Sequence, residues 1–192
     1  MKKKLGLFGG TFDPIHFGHL NLALELLEKE GLDEVLFCPA RTSPFKKTHP
    51  PLASPEDRLA MVKLAIEGIS AFRLSTLELA RSGPSYTIDT LRALRAPDVQ
   101  LYLLLSSDAL EDFHLWKEAD EILELSRPLI GARTGFLSPQ KIPEALQKGI
   151  ISTRALDISS TEVRDRLKKR LYCGHLLPAK VLDYIQKHHL YS

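Results

Sequence analysis

The sequence predicts an α/β fold: a doubly wound parallel sheet with helices on both faces. Three observations predict it. Short apolar runs alternate along the chain with segments of helical periodicity, the pattern of repeated βα units. One apolar run, Leu101-Tyr102-Leu103-Leu104-Leu105, is unbroken, as expected of a strand buried on both faces of a parallel sheet. The segments rich in glycine and hydroxyl residues fall just after a predicted strand or at a helix start, where such sheets bind ligands.

The elements follow in order. Leu5 to Phe8 is the first strand. Leu20 to Lys29 places Leu20, Ala23, Leu24 and Leu27 at helical spacing, and Gly31 is a natural stop beyond it. Glu34 to Cys38 is the second strand, followed by a Pro- and Lys-rich loop over 39–53. Ser54-Pro55-Glu56-Asp57 opens a helix running to about Gly68, with a serine cap, proline at the first position and acids facing the dipole. Phe72 to Ser75 is the third strand, and Ser85 to Arg95 a helix with Ile88, Leu91 and Leu94 on one face. After the strand at 101–105, Arg127 to Ala132, Gly149 to Ser152 and Ala155 to Ile158 are strand candidates. Ser160 to Leu171 and Pro178 to His188 read as helices.

Composition sets bounds. The 192 residues predict one domain over 1–192 with a helical part over about 159–190, long enough to bury a sizeable core. Hydrophobic residues at 44% and charged residues at 26% are an ordinary globular balance. Lys plus Arg number 26 against 24 Asp plus Glu, and a net charge of +2 is too near neutral to argue for a nucleic-acid or membrane partner, so neither is expected. Lys2-Lys3-Lys4 reads as a solvated start to the first strand. No apolar run reaches the length of a membrane span, and no signal peptide is visible. Cys38 and Cys173 imply no disulfide framework, so a reducing cytoplasm is the expected setting.

The chemistry begins at Gly9-Gly10-Thr11-Phe12-Asp13-Pro14-Ile15-His16-Phe17-Gly18-His19. A glycine pair lets the backbone approach a ligand without a Cβ in the way. A helix N-terminus offers free N–H groups and a positive dipole end, which suits phosphate. His16 and His19, three apart, share one face at that entrance. A metal site built on this pair lacks a third Cys or His nearby, with only Asp13 to help. The dinucleotide fingerprint Gly-x-Gly-x-x-Gly is absent after the first strand, which argues against hydride transfer. A second constellation is Ile158-Ser159-Ser160-Thr161-Glu162-Val163-Arg164. Hydroxyls at a helix start either cap the helix or bind phosphate, and Arg164, one turn in, can reach back to an anion there.

These two segments resemble the two ends of the nucleotidylyltransferase signature, the Gly-Gly-Thr-Phe-Asp-Pro turn with His-x-Gly-His and the later Ile-Ser-Ser-Thr-x-x-Arg. Pro84-Ser85-Tyr86-Thr87 at a helix start, and Trp116 after Asp108, are similar in order to the bacterial nicotinate mononucleotide adenylyltransferases. Two positions depart from that family. Its Pro-His-Lys loop reads Pro44-Phe45-Lys46 here, and its Gly-x-Asp turn reads Ser106-Ser107-Asp108.

The resemblance implies a Rossmann-like fold and adenylyl transfer from ATP to nicotinate mononucleotide, in NAD biosynthesis. It implies His16, His19 and Arg164 as catalytic residues, with Gly9, Gly10, Thr11, Phe12, Lys46, Ser159, Ser160 and Thr161 around ATP. Tyr86, Thr87, Asp108, Trp116 and Arg133 would surround the pyridine nucleotide. Backbone N–H groups near Tyr86 and Thr87 suit a carboxylate, and the indole of Trp116 can stack on the ring. Mg²⁺ would arrive with ATP, held by phosphates and water, with no dedicated protein cage. The expected partners are ATP and a pyridine mononucleotide, with the oligomeric state open. Two alternatives stay beside this reading. One is another small nucleotidylyltransferase, with nicotinamide mononucleotide or phosphopantetheine as acceptor. The other is a catalytically weak nucleotide-binding regulatory protein, for which Phe45 and Ser106 speak.

Overall fold

The computed structural model describes residues 2–44, 50–110, 112–132, 144–154 and 156–192. Among them a six-stranded, all-parallel sheet runs through the molecule: β1 (Lys3–Gly10), β2 (Glu34–Pro39), β3 (Phe72–Leu74), β4 (Val99–Ser106), β5 (Arg127–Ala132) and β6 (Ile150–Ser152). The strand order is β3-β2-β1-β4-β5-β6. The chain therefore winds outward from β1 to one edge, returns to the middle, and winds outward from β4 to the other. Between β1 and β4 the connections diverge, and a crevice opens beyond the strands' carboxyl ends.

The helices are α1 (Phe17–Glu30), α2 (Pro55–Ile66), α3 (Thr87–Leu94), α4 (Ala119–Leu125), α5 (Glu144–Gln147), α6 (Ser160–Lys168) and α7 (Ala179–Lys187). Two apolar cores lie on the two faces of the sheet. Tyr102 and Leu104 of β4 join Leu26, Met61, Val163 and Val181 from α1, α2, α6 and α7. Leu101, Leu103 and Leu105 join Ile88, Leu91 and Ile122 from α3 and α4. The period-two alternation of β4 buries both of its faces, so its sequence shows no polar face.

Local signals work as expected at several ends. Gly31 ends α1 in the left-handed conformation, with φ 59° and ψ 48°. Ser54 Oγ accepts from the Asp57 N–H at 3.0 Å and caps α2.

Three expectations change. The described residues of 155–158 are not a strand; they lead into α6. The helix expected from Ser85 begins at Thr87, with Tyr86 as its N-cap. Ser85 is drawn away because its N–H donates to Thr42 O (2.9 Å) and its Oγ accepts from the Arg41 N–H (3.0 Å). The glycine pair closes β1 rather than forming the turn, for Gly9 and Gly10 pair in register with Cys38 and Pro39.

No helix among the described residues is long and apolar enough to cross a membrane. Cys38 and Cys173 are both buried free thiols.

Candidate active site

The turn from β1 into α1 is set by side-chain packing. Phe12 is buried and takes φ 50°, a left-handed backbone that costs a bulky residue energy and is held here by its surroundings. Its ring meets Phe8 edge-on at 5.6 Å between centroids and His19 at 5.1 Å. The same ring explains Gly10, where a Cβ would lie 2.9 Å from Phe12 Cζ. At Gly9 a Cβ would meet nothing within 4 Å, so no protein contact requires glycine there.

His16 is the N-cap of α1, and its backbone N–H donates to His19 Nδ1 at 3.2 Å. With Nδ1 accepting, the neutral His19 ring carries its proton on Nε2 and presents a donor there. The two rings stack at 3.7 Å, and the residue between them must be small because a Cβ at Gly18 would lie 3.0 Å from His16 Nδ1. His16 is buried, and burial lowers its pKa to about 4, so the unliganded ring is neutral at pH 7.

α6 meets this turn from the other half of the sequence. Arg164 Nη1 donates to Asp13 O at 2.8 Å and its Nη2 to Thr161 Oγ1 at 3.1 Å, with the side chain 22% exposed. Ser160 Oγ donates to Pro14 O at 2.9 Å. Ser159 Oγ accepts from the Glu162 N–H at 3.1 Å and caps α6. All three hydroxyls of this segment thus have partners within the protein. Only Ser160 spends its hydroxyl hydrogen, on Pro14 O; Ser159 and Thr161 accept, so α6 offers an anion their O–H donors beside the guanidinium and the first-turn N–H groups.

Beyond the carboxyl ends of β1 and β4 lies a cavity of about 350 Å³. Gly9, Gly10 and Thr11 line it on the side of the histidine turn, and Tyr86, Thr87, Asp108 and Trp116 on the opposite side. Asp108 sits in a 3₁₀ turn, Ser107–Leu110, directly after β4, and Ser106 is that strand's last residue. Trp116 follows a second such turn, Phe113–Leu115, and packs on Phe113 with centroids 5.3 Å apart. The structure therefore places Gly9, Gly10, Thr11, Tyr86, Thr87, Asp108 and Trp116 on one cavity, and joins His16, His19, Ser160 and Arg164 to the turn that follows Thr11. Lys46, Phe45 and Arg133 lie outside the described residues.

Four residues of this region were not singled out from sequence. Arg58 is fully buried and donates from Nη1 to Thr11 O and Ala40 O, both at 2.7 Å, and from Nη2 to Arg41 O at 3.2 Å. It ties together the loops leaving β1 and β2. A signal existed, since Arg58 precedes Met61, Val62, Ala65 and Ile66 on one buried helical stripe. Glu78 is a buried carboxyl on the cavity wall that accepts from Thr90 Oγ1 at 2.9 Å, and its pKa is raised by burial. Lys117 also lines the cavity, with Nζ 4.8 Å from the Tyr86 ring centroid and 3.5 Å from Asp89 Oδ1. Tyr191 donates its phenol hydrogen to Asp13 Oδ1 at 2.6 Å.

Asp13 also accepts from the N–H groups of Leu52 at 2.9 Å and Ala53 at 3.1 Å. Its carboxylate is thus engaged by the protein itself. Among the described residues no three His, Cys, Asp or Glu side chains converge to hold a metal ion.

Comparison with known proteins bears on this crevice. The sequence matches the family described as "Cytidylyltransferase-like" over residues 7–166. It is 44% identical to a protein of Dehalococcoides mccartyi named "Probable nicotinate-nucleotide adenylyltransferase", covering 98% of this chain and 97% of that one. It is 42% identical to a protein of the same name from Salinispora tropica, over 96% and 99% of the two chains. The fold superposes on Plasmodium falciparum nicotinic acid mononucleotide adenylyltransferase complexed with NaAD with a TM-score of 0.81. That match has 25% identity and covers 98% of this chain and 97% of that one.

Proposed function

The chain belongs to the nicotinate-nucleotide adenylyltransferase family of cytidylyltransferase-like proteins, and from that premise we propose that it transfers the adenylyl group of ATP to nicotinate mononucleotide. The products are nicotinate adenine dinucleotide and pyrophosphate. The observation that carries the proposal is the junction at Gly9 to Thr11. A histidine-bearing helix N-terminus lies on one side of it, and a cavity with Trp116, Tyr86 and Thr87 on the other.

An oxygen of the mononucleotide's 5′-phosphate attacks the α-phosphorus of ATP, and the bond to the β-phosphate oxygen breaks. The attacking oxygen is already anionic, so no protein nucleophile or strong base is required. The protein's task is to bring two anions together and to stabilise charge as it shifts onto pyrophosphate. His19, with its proton on Nε2, is a donor to phosphate oxygens, and His16 stacks on it and fixes its plane. Phosphate binding beside His16 favours its protonated form, which turns a neutral donor into a charge-assisted one. Arg164 holds the leaving phosphates, together with Lys46. Ser159 and Thr161 accept within α6 and keep their O–H donors for phosphate, while the Ser160 hydroxyl is held by Pro14 O and its share falls to its backbone N–H. Mg²⁺ enters as part of the MgATP substrate, coordinated by phosphates and water.

On the acceptor side, Trp116 stacks on the pyridine ring. The N–H groups at the start of α3 receive its carboxylate, and Lys117 adds positive charge to a wall that also carries Asp108 and Glu78. The test is pyrophosphate release with ATP and, in turn, nicotinate mononucleotide, nicotinamide mononucleotide and phosphopantetheine. Release fastest with nicotinate mononucleotide is expected. Release only with phosphopantetheine, or none at all, would overturn the reading.

A further inference from the structure

Tyr191 lies 178 positions from Asp13 in sequence, yet its hydroxyl reaches Asp13 Oδ1 at 2.6 Å. The residue is 7% exposed and its backbone takes φ 64°. A buried aromatic residue in the left-handed region is held there by its contacts. Its one polar contact in the core is this carboxylate, inside the β1–α1 turn. Burial and the facing Asp13 push the phenol's pKa upward, so the hydroxyl remains a donor throughout the physiological range.

Asp13 is 5% exposed and must find its hydrogen bonds within the protein. A carboxylate has about four acceptor positions. The Leu52 and Ala53 N–H groups and Tyr191 fill three of them. Two cations lie near. Arg58 is committed to the carbonyls of Thr11, Ala40 and Arg41. Arg164 stands at 4.0 Å from Asp13 Oδ2, bonded to Asp13 O instead and steadied by Thr161. A closure of about an ångström would convert that spacing into a tight ion pair.

We propose that Tyr191 is a positioning residue for the phosphate clamp: its hydroxyl satisfies the Asp13 carboxylate and thereby keeps the Arg164 guanidinium available to the phosphates of the nucleotide. The proposal rests on the reading of Arg164 as a phosphate ligand. Without the hydroxyl, the buried carboxylate lacks a donor and draws on the nearest cation with slack, Arg164. An arginine paired with Asp13 has less charge to offer ATP and pyrophosphate.

The experiment compares wild type, Tyr191→Phe, Arg164→Ala and the double variant. KM for ATP and for nicotinate mononucleotide are measured separately, well below each variant's unfolding midpoint. Tyr191→Phe keeps the ring and should raise the ATP KM roughly three- to tenfold, with the acceptor KM changed less than about twofold. Because Tyr191 acts through Arg164, the double variant should match Arg164→Ala in ATP KM. Tyr184→Phe is the control. It removes the bond from Tyr184 OH on α7 to Asp57 Oδ1 on α2 (2.9 Å), which involves neither Asp13 nor Arg164, and should leave both KM values unchanged. An unchanged ATP KM in Tyr191→Phe, an equal rise in both KM values, or full additivity in the double variant would overturn the proposal while leaving Arg164 as a ligand. An unchanged ATP KM in Arg164→Ala would instead overturn the underlying reading. A second arm does not depend on the stability of Tyr191→Phe alone. With Asp13→Asn there is no buried charge for Arg164 to collapse upon, so Asp13→Asn and Asp13→Asn/Tyr191→Phe should share one ATP KM, and a further rise in the latter would count against the idea.

Discussion

The two sides of the crevice are built differently. On the histidine side many hydrogen bonds join distant segments. Arg58 reaches three carbonyls, Asp13 collects two backbone N–H groups and a phenol, and Ser160 and Arg164 bind back to the carbonyls of Pro14 and Asp13. On the acceptor side the residues facing the cavity sit on short 3₁₀ turns and a helix start, with Asp108 exposed and Trp116 half-buried. Its buried tie is Glu78 with Thr90, and beyond that it carries exposed ion pairs, Lys117 on Asp89 and Arg92 on Glu118 and Glu121. Surface ion pairs hold loosely. The difference teaches a division of labour. On the proposed function, charge stabilisation depends on donors held in place before reaction, which a turn knitted into the fold supplies. Ring recognition by stacking tolerates looser support.

The largest test of that contrast is His19→Ala. If the pre-set donor stabilises charge that grows in the transition state, kcat should fall by roughly two to three orders of magnitude while ATP affinity falls much less. Steady-state kinetics decide it, and a kcat within a few-fold of wild type would erase the distinction between the two sides. Next in size is Arg164→Ala, which should raise the ATP KM and weaken pyrophosphate binding by roughly ten- to a hundredfold, with the fold retained. Titration with ATP and pyrophosphate checks it, and unchanged affinities would reduce the α6 start to a plain helix cap.

The acceptor side should show smaller and separable effects. Nicotinate mononucleotide should be preferred over its amide by at least about tenfold in kcat/KM, since each bond to a charged group is worth roughly 1.5–3 kcal/mol. Trp116→Ala should raise both KM values while largely keeping their ratio, because stacking does not read the carboxylate. Equal kcat/KM for the two acceptors would refute an acid-selective pocket. A ratio that collapses in Trp116→Ala would show that the indole also orients the carboxylate.

The same contrast explains what the sequence made legible. The β1–α1 turn and the α6 start were readable because their residues are contiguous and their roles follow from helix termini and glycine sterics. Arg127–Ala132 was found with the same bounds as the strand in the structure. The strength of β4 was readable because a doubly buried strand has no polar face. Helix α4 was missed because at seven residues it is too short to show a period, with Ile122 its one buried residue. Tyr191, Arg58 and the hydrogen-bonding role of Asp13 escaped for a different reason. Their partners lie 39 to 178 positions away, or are backbone carbonyls, and neither leaves a pattern in sequence. That the Ser160 hydroxyl is held by Pro14 O was not legible, because sequence shows that a donor is present, not which acceptor reaches it first.

The smallest expected effect is one of pH, and it tests how tightly the histidine side is closed. Burial lowers the His16 pKa to about 4 from the ordinary 6.5. Between those values the unfolded chain binds a proton that the folded chain does not, so stability is fully present above about pH 6.5 and falls as the pH drops toward 4. From pH 7 to 5.5 the loss from this group is about 1 kcal/mol. For a chain of this size that is a fall of about 2–5 °C in Tm. The sign is opposite to that of a histidine held charged by a carboxylate, which would gain stability over the same interval. The measurement is Tm against pH for wild type and His16→Gln without ligand, and the difference between the two curves isolates this residue. The wild-type Tm should fall relative to that of His16→Gln as the pH drops, because only wild type carries the buried imidazole. Parallel curves would mean that His16 titrates normally and that the turn opens to water as freely as the acceptor side.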